Sequence, residues 1–156
     1  MKQSAGILLY RIIGNKPEFF LVHPGGPFFV KKNEGWWSIP KGELLEDEHP
    51  LTAALREFKE EIGYEPKDPY IELQSIVQKG GKKVYGWAAE GDLDSSRITS
   101  NTFEMIWPPK SGSLKSFPEV DKAGWFDYET ALTLINDRQE DFLLQLMNIL
   151  QQRRLI

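Results

Sequence analysis

Cysteine is absent from the 156 residues of this chain. Disulfides and thiolate metal sites are therefore excluded, and a reducing cytoplasm is the expected location. Long apolar runs are also missing. The opening stretch MKQSAGILLYRII is too short for a signal peptide or a membrane span, and Arg11 interrupts it, so no membrane partner is expected. Basic charge is not in excess either: the net charge is −4 and the pI is near 5.3. That balance argues against long nucleic acid as a partner, where lysine and arginine stripes supply most of the affinity. It leaves room for a small polyphosphate, because bound divalent cations invert the field around a carboxylate cluster. No internal repeat or linker is visible, so residues 1–156 are expected to form one domain, as monomer or homodimer. With 40% hydrophobic and 27% charged residues, the chain can bury a core without cross-links.

What the chain does have is a stretch of unusual density, GELLEDEHPLTAALREFKEEIGY, residues 42–64. Leu51, Ala54, Leu55, Phe58 and Ile62 recur at helical spacing and predict an amphipathic helix over residues 50–62. Pro50 suits the first turn, Asp47 and Glu48 complement the positive end of the dipole, and Gly63 suits a left-handed stop. Glu57, Glu60 and Glu61 fall on an arc beside the apolar one, since positions three and four apart are surface neighbours. Carboxylates so close repel, and the pKa of at least one rises unless a cation intervenes. A solvated acidic face is one explanation of the cluster. A hard divalent ion with oxygen ligands, Mg²⁺ or Mn²⁺, is the other.

The full spacing favours the second. Gly42, Glu48, Arg56-Glu57, Glu60-Glu61 and Gly63 resemble the Nudix box position by position, and the motif fixes about eight positions over its length. Phe58 and Tyr64 fill two apolar slots where aliphatic residues are commoner. The chain thus resembles a Nudix hydrolase, which implies an α/β fold: an α/β/α sandwich with a mixed β-sheet between helices. The resemblance implies divalent-metal-dependent hydrolysis of a nucleoside diphosphate linked to another group. It assigns Glu57, Glu60 and Glu61 as metal ligands with the Gly42 carbonyl, and it leaves open which glutamate acts on the attacking water. Arg56, four residues before Glu60, is placed to orient a carboxylate, and Glu48 to support the loop–helix junction. Glu119, six residues before Trp125, resembles the extra carboxylate that relatives recruit from a later loop; Glu104 is the fallback.

Upstream of the box, Trp36-Trp37-Ser38-Ile39-Pro40-Lys41 resembles the lead-in of dinucleoside polyphosphate hydrolases, which favours diadenosine tetraphosphate as the substrate type. MutT-like hydrolysis of nucleoside triphosphates and then nucleotide sugars such as ADP-ribose rank behind it. A nucleotide-binding module without catalysis is the reading of a different class. Candidate substrate contacts are Lys41, Lys31 and Lys32 for phosphate, with Trp37 (or Trp36) and His23 for stacking or hydrogen bonding.

Along the rest of the chain, residues 4–13 and 18–23 read as strands joined by the Gly14-Asn15-Lys16-Pro17 turn. Residues 24–35 (PGGPFFVKKNEG) read as a long loop. Strands are expected at 70–78, 82–90 and 103–107, with a polar loop over 91–101 and a short apolar segment at 123–126. Asp127 is expected to cap a helix over 129–135. Asn136 or Asp137 is expected to cap a second helix reaching about residue 153, with Phe142, Leu143, Leu146, Met147 and Leu150 as its core stripe.

Overall fold

The first strand is buried on both faces, and this sets the architecture. In the computed structural model, which describes residues 2–156, strand β1 runs Gln3–Ile13. Ala5, Ile7 and Leu9 enter one apolar cluster, Leu8 and Tyr10 the other. A strand of this kind needs cover on each side. Helix α1 (Pro50–Ile62) covers the first face through Ala53, Ala54, Phe58 and Ile62. Helices α2 (Tyr128–Leu134) and α3 (Glu140–Gln152) cover the second, through Ala131 and Leu134 and through Phe142, Leu143, Leu146 and Leu150. The result is the expected sandwich.

Strand β2 (Lys16–Pro24) returns antiparallel to β1 through Gly14 and Asn15, whose φ values of 58° and 66° are those of a tight hairpin turn. Strands β3 (Lys41–Glu43), β4 (Ile71–Val77), β5 (Lys83–Glu90) and β8 (Val120–Phe126) complete a six-stranded sheet of order β4-β5-β1-β2-β8, with β3 paired to β1. Only the β1–β5 ladder is parallel, so the sheet is mixed. Strands β6 (Thr102–Ile106) and β7 (Leu114–Pro118) form a separate two-stranded ribbon.

Strand β1 changes partner along its length. Tyr10–Ile13 pair with β2, whereas Ser4, Ala5 and Gly6 pair with β3. The two long strands diverge, and the segment leading into β3 fills the gap, with Ile7 N donating to Pro40 O and Ser38 exchanging backbone bonds with Val22. Gly6 is required here, since an added Cβ would come within 2.6 Å of Pro40 O. This divergence brings Gly42 beneath α1.

Three details depart from expectation. The α1 cap is His49, whose Nδ1 accepts from Leu51 N at 3.1 Å; Asp47 and Glu48 lie ahead of the helix. Gly63 does close it, at φ 83° with its N–H donating to Lys59 O. The last helix begins at Glu140, after a 3₁₀ turn over Asp137–Gln139 capped by Asn136. Gln139 is buried there because its Oε1 accepts from Ile39 N and its Nε2 donates to Gln78 Oε1, which fixes the bend before the helix. Strands β3 and β7 were not expected at all. Among the described residues, no helix is long and apolar enough to cross a membrane.

Candidate active site

Helix α1 offers the Gly42 bend a carboxylate-bearing face. Gly42 lies opposite Ala5 in the sheet, on the side that α1 covers. A Cβ at Gly42 would collide with the Glu57 carboxyl group, so the glycine is what admits the glutamate. Glu61, one turn on, is the acidic residue buried with the core, 9% exposed. It takes a backbone hydrogen bond from Lys41, yet burial, then the charges of Glu57 and Glu119, push its pKa up to about 8. Burial also raises the pKa of Glu119, with Glu57 and Glu60 adding repulsion. Carboxylates from α1 and from the β7–β8 corner thus face one another across a small gap.

Arg56 organises the outer edge of this group. Its Nε and Nη2 donate to the two Glu48 oxygens at 2.9 and 3.0 Å, and Nη1 to Glu57 at 2.8 Å and Glu60 at 3.2 Å. Nη2 also donates to Glu43 O at 3.1 Å, which ties the helix to β3. Those bonds raise the guanidinium pKa further, the Glu48 pair foremost, and hold the Glu48 carboxyl below its ordinary range. Glu48 in addition accepts from Leu45 N at 3.0 Å. It therefore braces the turn into α1.

The donors present suit a hard divalent cation: four carboxylates and one peptide carbonyl, with a glycine where a side chain would intrude. Among the described residues, however, no three His, Asp or Glu side chains converge tightly enough to grip an ion as they stand. Like charges part, and Arg56 already neutralises Glu57 and Glu60.

A cleft of about 190 Å³ opens beside Glu61, lined by Val22, Pro24, Trp36, Ser38, Lys41, Glu119 and Val120. The expected contacts divide here. Lys41 reaches the cleft, and burial, then Lys82, lowers its pKa; among the described residues, no carboxylate is within ion-pair distance of its ammonium. Trp37 does not reach it: it is 5% exposed, donates to Asn33 Oδ1 and stacks edge-on with His23 and Phe126. Trp36, at 43% exposure, is the tryptophan that faces the cleft, with Lys32 Nζ 5.4 Å from its ring centre. Inward Trp37 and Ile39 against outward Trp36 and Ser38 form the period-2 pattern that separates the pair in sequence.

His23 is likewise a structural residue. It is fully buried, with Nδ1 2.8 Å from Asp121 and Nε2 2.6 Å from the Lys32 carbonyl, so neither nitrogen is left for a ligand. Lys31 is exposed on the loop and outside the cleft lining. Glu104 lies exposed on the ribbon opposite Ser116, outside the cleft lining. The corner carboxylate is Glu119, whose N–H donates to Asn101 O and whose carbonyl accepts from Gly25 N.

Comparison with known proteins bears on the family and the fold. A family model described as the NUDIX domain matches residues 2–146. The chain is 30% identical over 94 residues to the m7GpppN-mRNA hydrolase of Saccharomyces cerevisiae, which is 60% of this chain but only 8% of that protein's length. It is 28% identical over 129 residues to the RNA pyrophosphohydrolase of Hydrogenovibrio crunogenus, covering 69% of this chain and 70% of that one. Among solved structures, the binary complex of C. elegans Ap4A hydrolase superposes with a TM-score of 0.67 at 22% identity, covering 97% and 99% of the two chains. The NUDIX domain of Shewanella oneidensis NrtR with ADP ribose gives 0.59 at 17% identity, covering 97% and 86%. At those identities the structural likeness establishes the fold.

Proposed function

From the chain's membership of the NUDIX family, we propose that this hydrolase cleaves a phosphoanhydride bond in a dinucleoside polyphosphate such as diadenosine tetraphosphate. One observation carries the chemistry: Glu61 lies buried on α1 beside a cleft that Glu119 also lines, and burial and the charges of Glu57 and Glu119 hold its proton in place, an unfavourable arrangement that a divalent cation would relieve. Glu57, Glu60, Glu61, Glu119 and the Gly42 carbonyl would hold Mg²⁺ or Mn²⁺. When bound, the ion supplies charge stabilisation along the phosphates and acidifies water at neutral pH.

The remaining work falls to this chain's own side chains. Arg56 keeps Glu57 and Glu60 oriented by direct hydrogen bonds, a positioning role. Lys41, in the cleft lining, offers its ammonium to a phosphate oxygen. Trp36 offers an exposed ring at the same cleft for a base to stack on. Glu119 faces Glu61 from the opposite wall and accepts a proton from water, or shares in holding the ion.

A second reading, removal of pyrophosphate from an RNA 5′ end, is favoured by the similarity to an RNA pyrophosphohydrolase across 70% of its length. The test is a panel of diadenosine tetraphosphate, nucleoside triphosphates, ADP-ribose and a 5′-triphosphorylated oligoribonucleotide with Mg²⁺ or Mn²⁺, products resolved by chromatography. Dinucleotide cleavage at the highest kcat/KM is the expected result. Triphosphates cut to monophosphates with dinucleotides untouched would overturn the substrate. No turnover at all, with calorimetry registering no divalent uptake, would make the chain a nucleotide-binding module.

A further inference from the structure

Next to the cleft, the molecule exposes aromatic surface that neither the core nor the carboxylate site uses. Phe28 is 59% exposed, and its ring meets Trp107 at 5.3 Å and 83°. In such an edge-to-face pair the ring that supplies its edge keeps its own faces clear. Phe28 lies on the loop over residues 24–35, and Trp107 follows strand β6 at the outer end of the ribbon. The two segments are fastened together: Gly25 N donates to Glu119 O at 2.9 Å, and Gly26 lies so close to Phe103 that a Cβ would come within 2.8 Å of its ring.

Adjacent residues link this surface to the cleft. Phe29, beside Phe28, packs against Trp36 at 5.6 Å, and Trp36 lines the cleft with Lys41 and Glu119. The ribbon register runs from Thr102↔Pro118, next to Glu119, out to Ile106↔Leu114. At ordinary strand rise, Trp107 therefore lies on the order of 15 Å beyond Glu119. The two segments are basic in a chain that is acidic overall: the loop carries Lys31 and Lys32 against Glu34, and the ribbon Lys110 and Lys115 against Glu104.

We propose that Phe28 and Trp107 form a stacking subsite for a nucleobase carried at the far end of a polyphosphate whose near end occupies the Lys41–Glu61–Glu119 cleft. The inference rests on the reading of that cleft as a polyphosphate site. Stacking on an aromatic ring tolerates any base, and the flanking lysines complement the intervening phosphates.

The test measures equilibrium binding, with Mg²⁺ present, of a non-hydrolysable diadenosine tetraphosphate analogue and a non-hydrolysable ATP analogue. Wild type, Phe28→Ala and Phe28→Trp are compared; Phe28 is exposed enough for all three to fold. Wild type is expected to hold the dinucleotide more tightly. Phe28→Ala should weaken the dinucleotide about tenfold, the size of one lost base–aromatic stack, and so shrink the ratio between the two analogues. Phe28→Trp should restore it. The subsite is overturned if wild type holds the dinucleotide no more tightly than the mononucleotide. It is equally overturned if Phe28→Ala weakens both analogues alike or neither, or if the variant alters only the sedimentation behaviour, which would make the patch a contact between copies of the chain. Binding is read without turnover, so a silent substrate panel sinks the hydrolytic proposal alone.

Discussion

Helices α1 and α3 are each thirteen residues long, each amphipathic, and pressed against opposite faces of one sheet. Their buried faces differ. α3 inserts Phe142, Leu143, Leu146 and Leu150, all fully buried. α1 inserts two alanines, Phe58 and Ile62, and buries Glu61 with them. The alanines let the helix sit close to the strands, and the glutamate occupies a position that an apolar residue would fill at lower cost. One helix holds the fold together; the other gives up stability to place a charge. The two faces should therefore respond oppositely to substitution.

The sharpest contrast is at Glu61. Glu61→Gln replaces the buried carboxyl with an amide of nearly the same shape that cannot ionise to hold a cation, and turnover should fall roughly 10²–10³-fold, the scale for losing one group that stabilises transition-state charge. Thermal stability measured without divalent ions should hold or rise. A lowered melting temperature would show that Glu61 serves the core. Leu146→Ala should do the reverse, costing about 3 kcal/mol in urea unfolding while kcat per folded molecule stays put. If turnover fell in the folded fraction, the division of labour between the helices would be wrong.

Two glycines then sharpen the α1 side. Gly42→Ala drives a methyl group into the space of the Glu57 carboxyl, and turnover should fall ~10–100-fold with little loss of stability, because small displacements of a positioned group are costly. Gly63→Ala forces an alanine to φ 83° and brings its Cβ within 2.7 Å of Thr99 Oγ1. It should cost about 1 kcal/mol of stability, with kcat unchanged. Equal effects of the two on activity would mean that the close approach of Glu57 to Gly42 is nothing special.

The elements with a strong local period could be read from the sequence. The apolar spacing of α1, its Pro50 start and its Gly63 stop gave boundaries that coincide with the helix found. Strands β1, β2, β4 and β5 were likewise visible as apolar runs between turns. Strand β3 was not, because Lys-Gly-Glu has no pattern of its own and exists as a strand only through pairing with β1. The same holds for β7, whose residues are nearly all exposed and whose partner alone defines it. Within the site, Glu57 and Glu61 were named from the motif spacing and Glu119 from the family resemblance; Glu61 and Glu119 line one cleft, and Glu57 is near enough for its charge to act on both. His23 and Trp37 were candidates for substrate contact or for a structural role, and only the alternation of Trp37 and Ile39 with Trp36 and Ser38 pointed inward. Here the Lys32 carbonyl, Asp121 and Asn33 claim them for the interior.

The fork in β1 carries a final consequence. The bend that cradles the carboxylates is stitched into the sheet by main-chain bonds, whereas Trp36, Phe28 and Trp107 hang on segments outside it. If those rings receive a base as proposed, mutations in the outlying segments would alter which molecule is welcomed and leave the sheet-anchored carboxylates where they are. One scaffold can in this way diversify its clientele over generations while its reactive heart stays fixed.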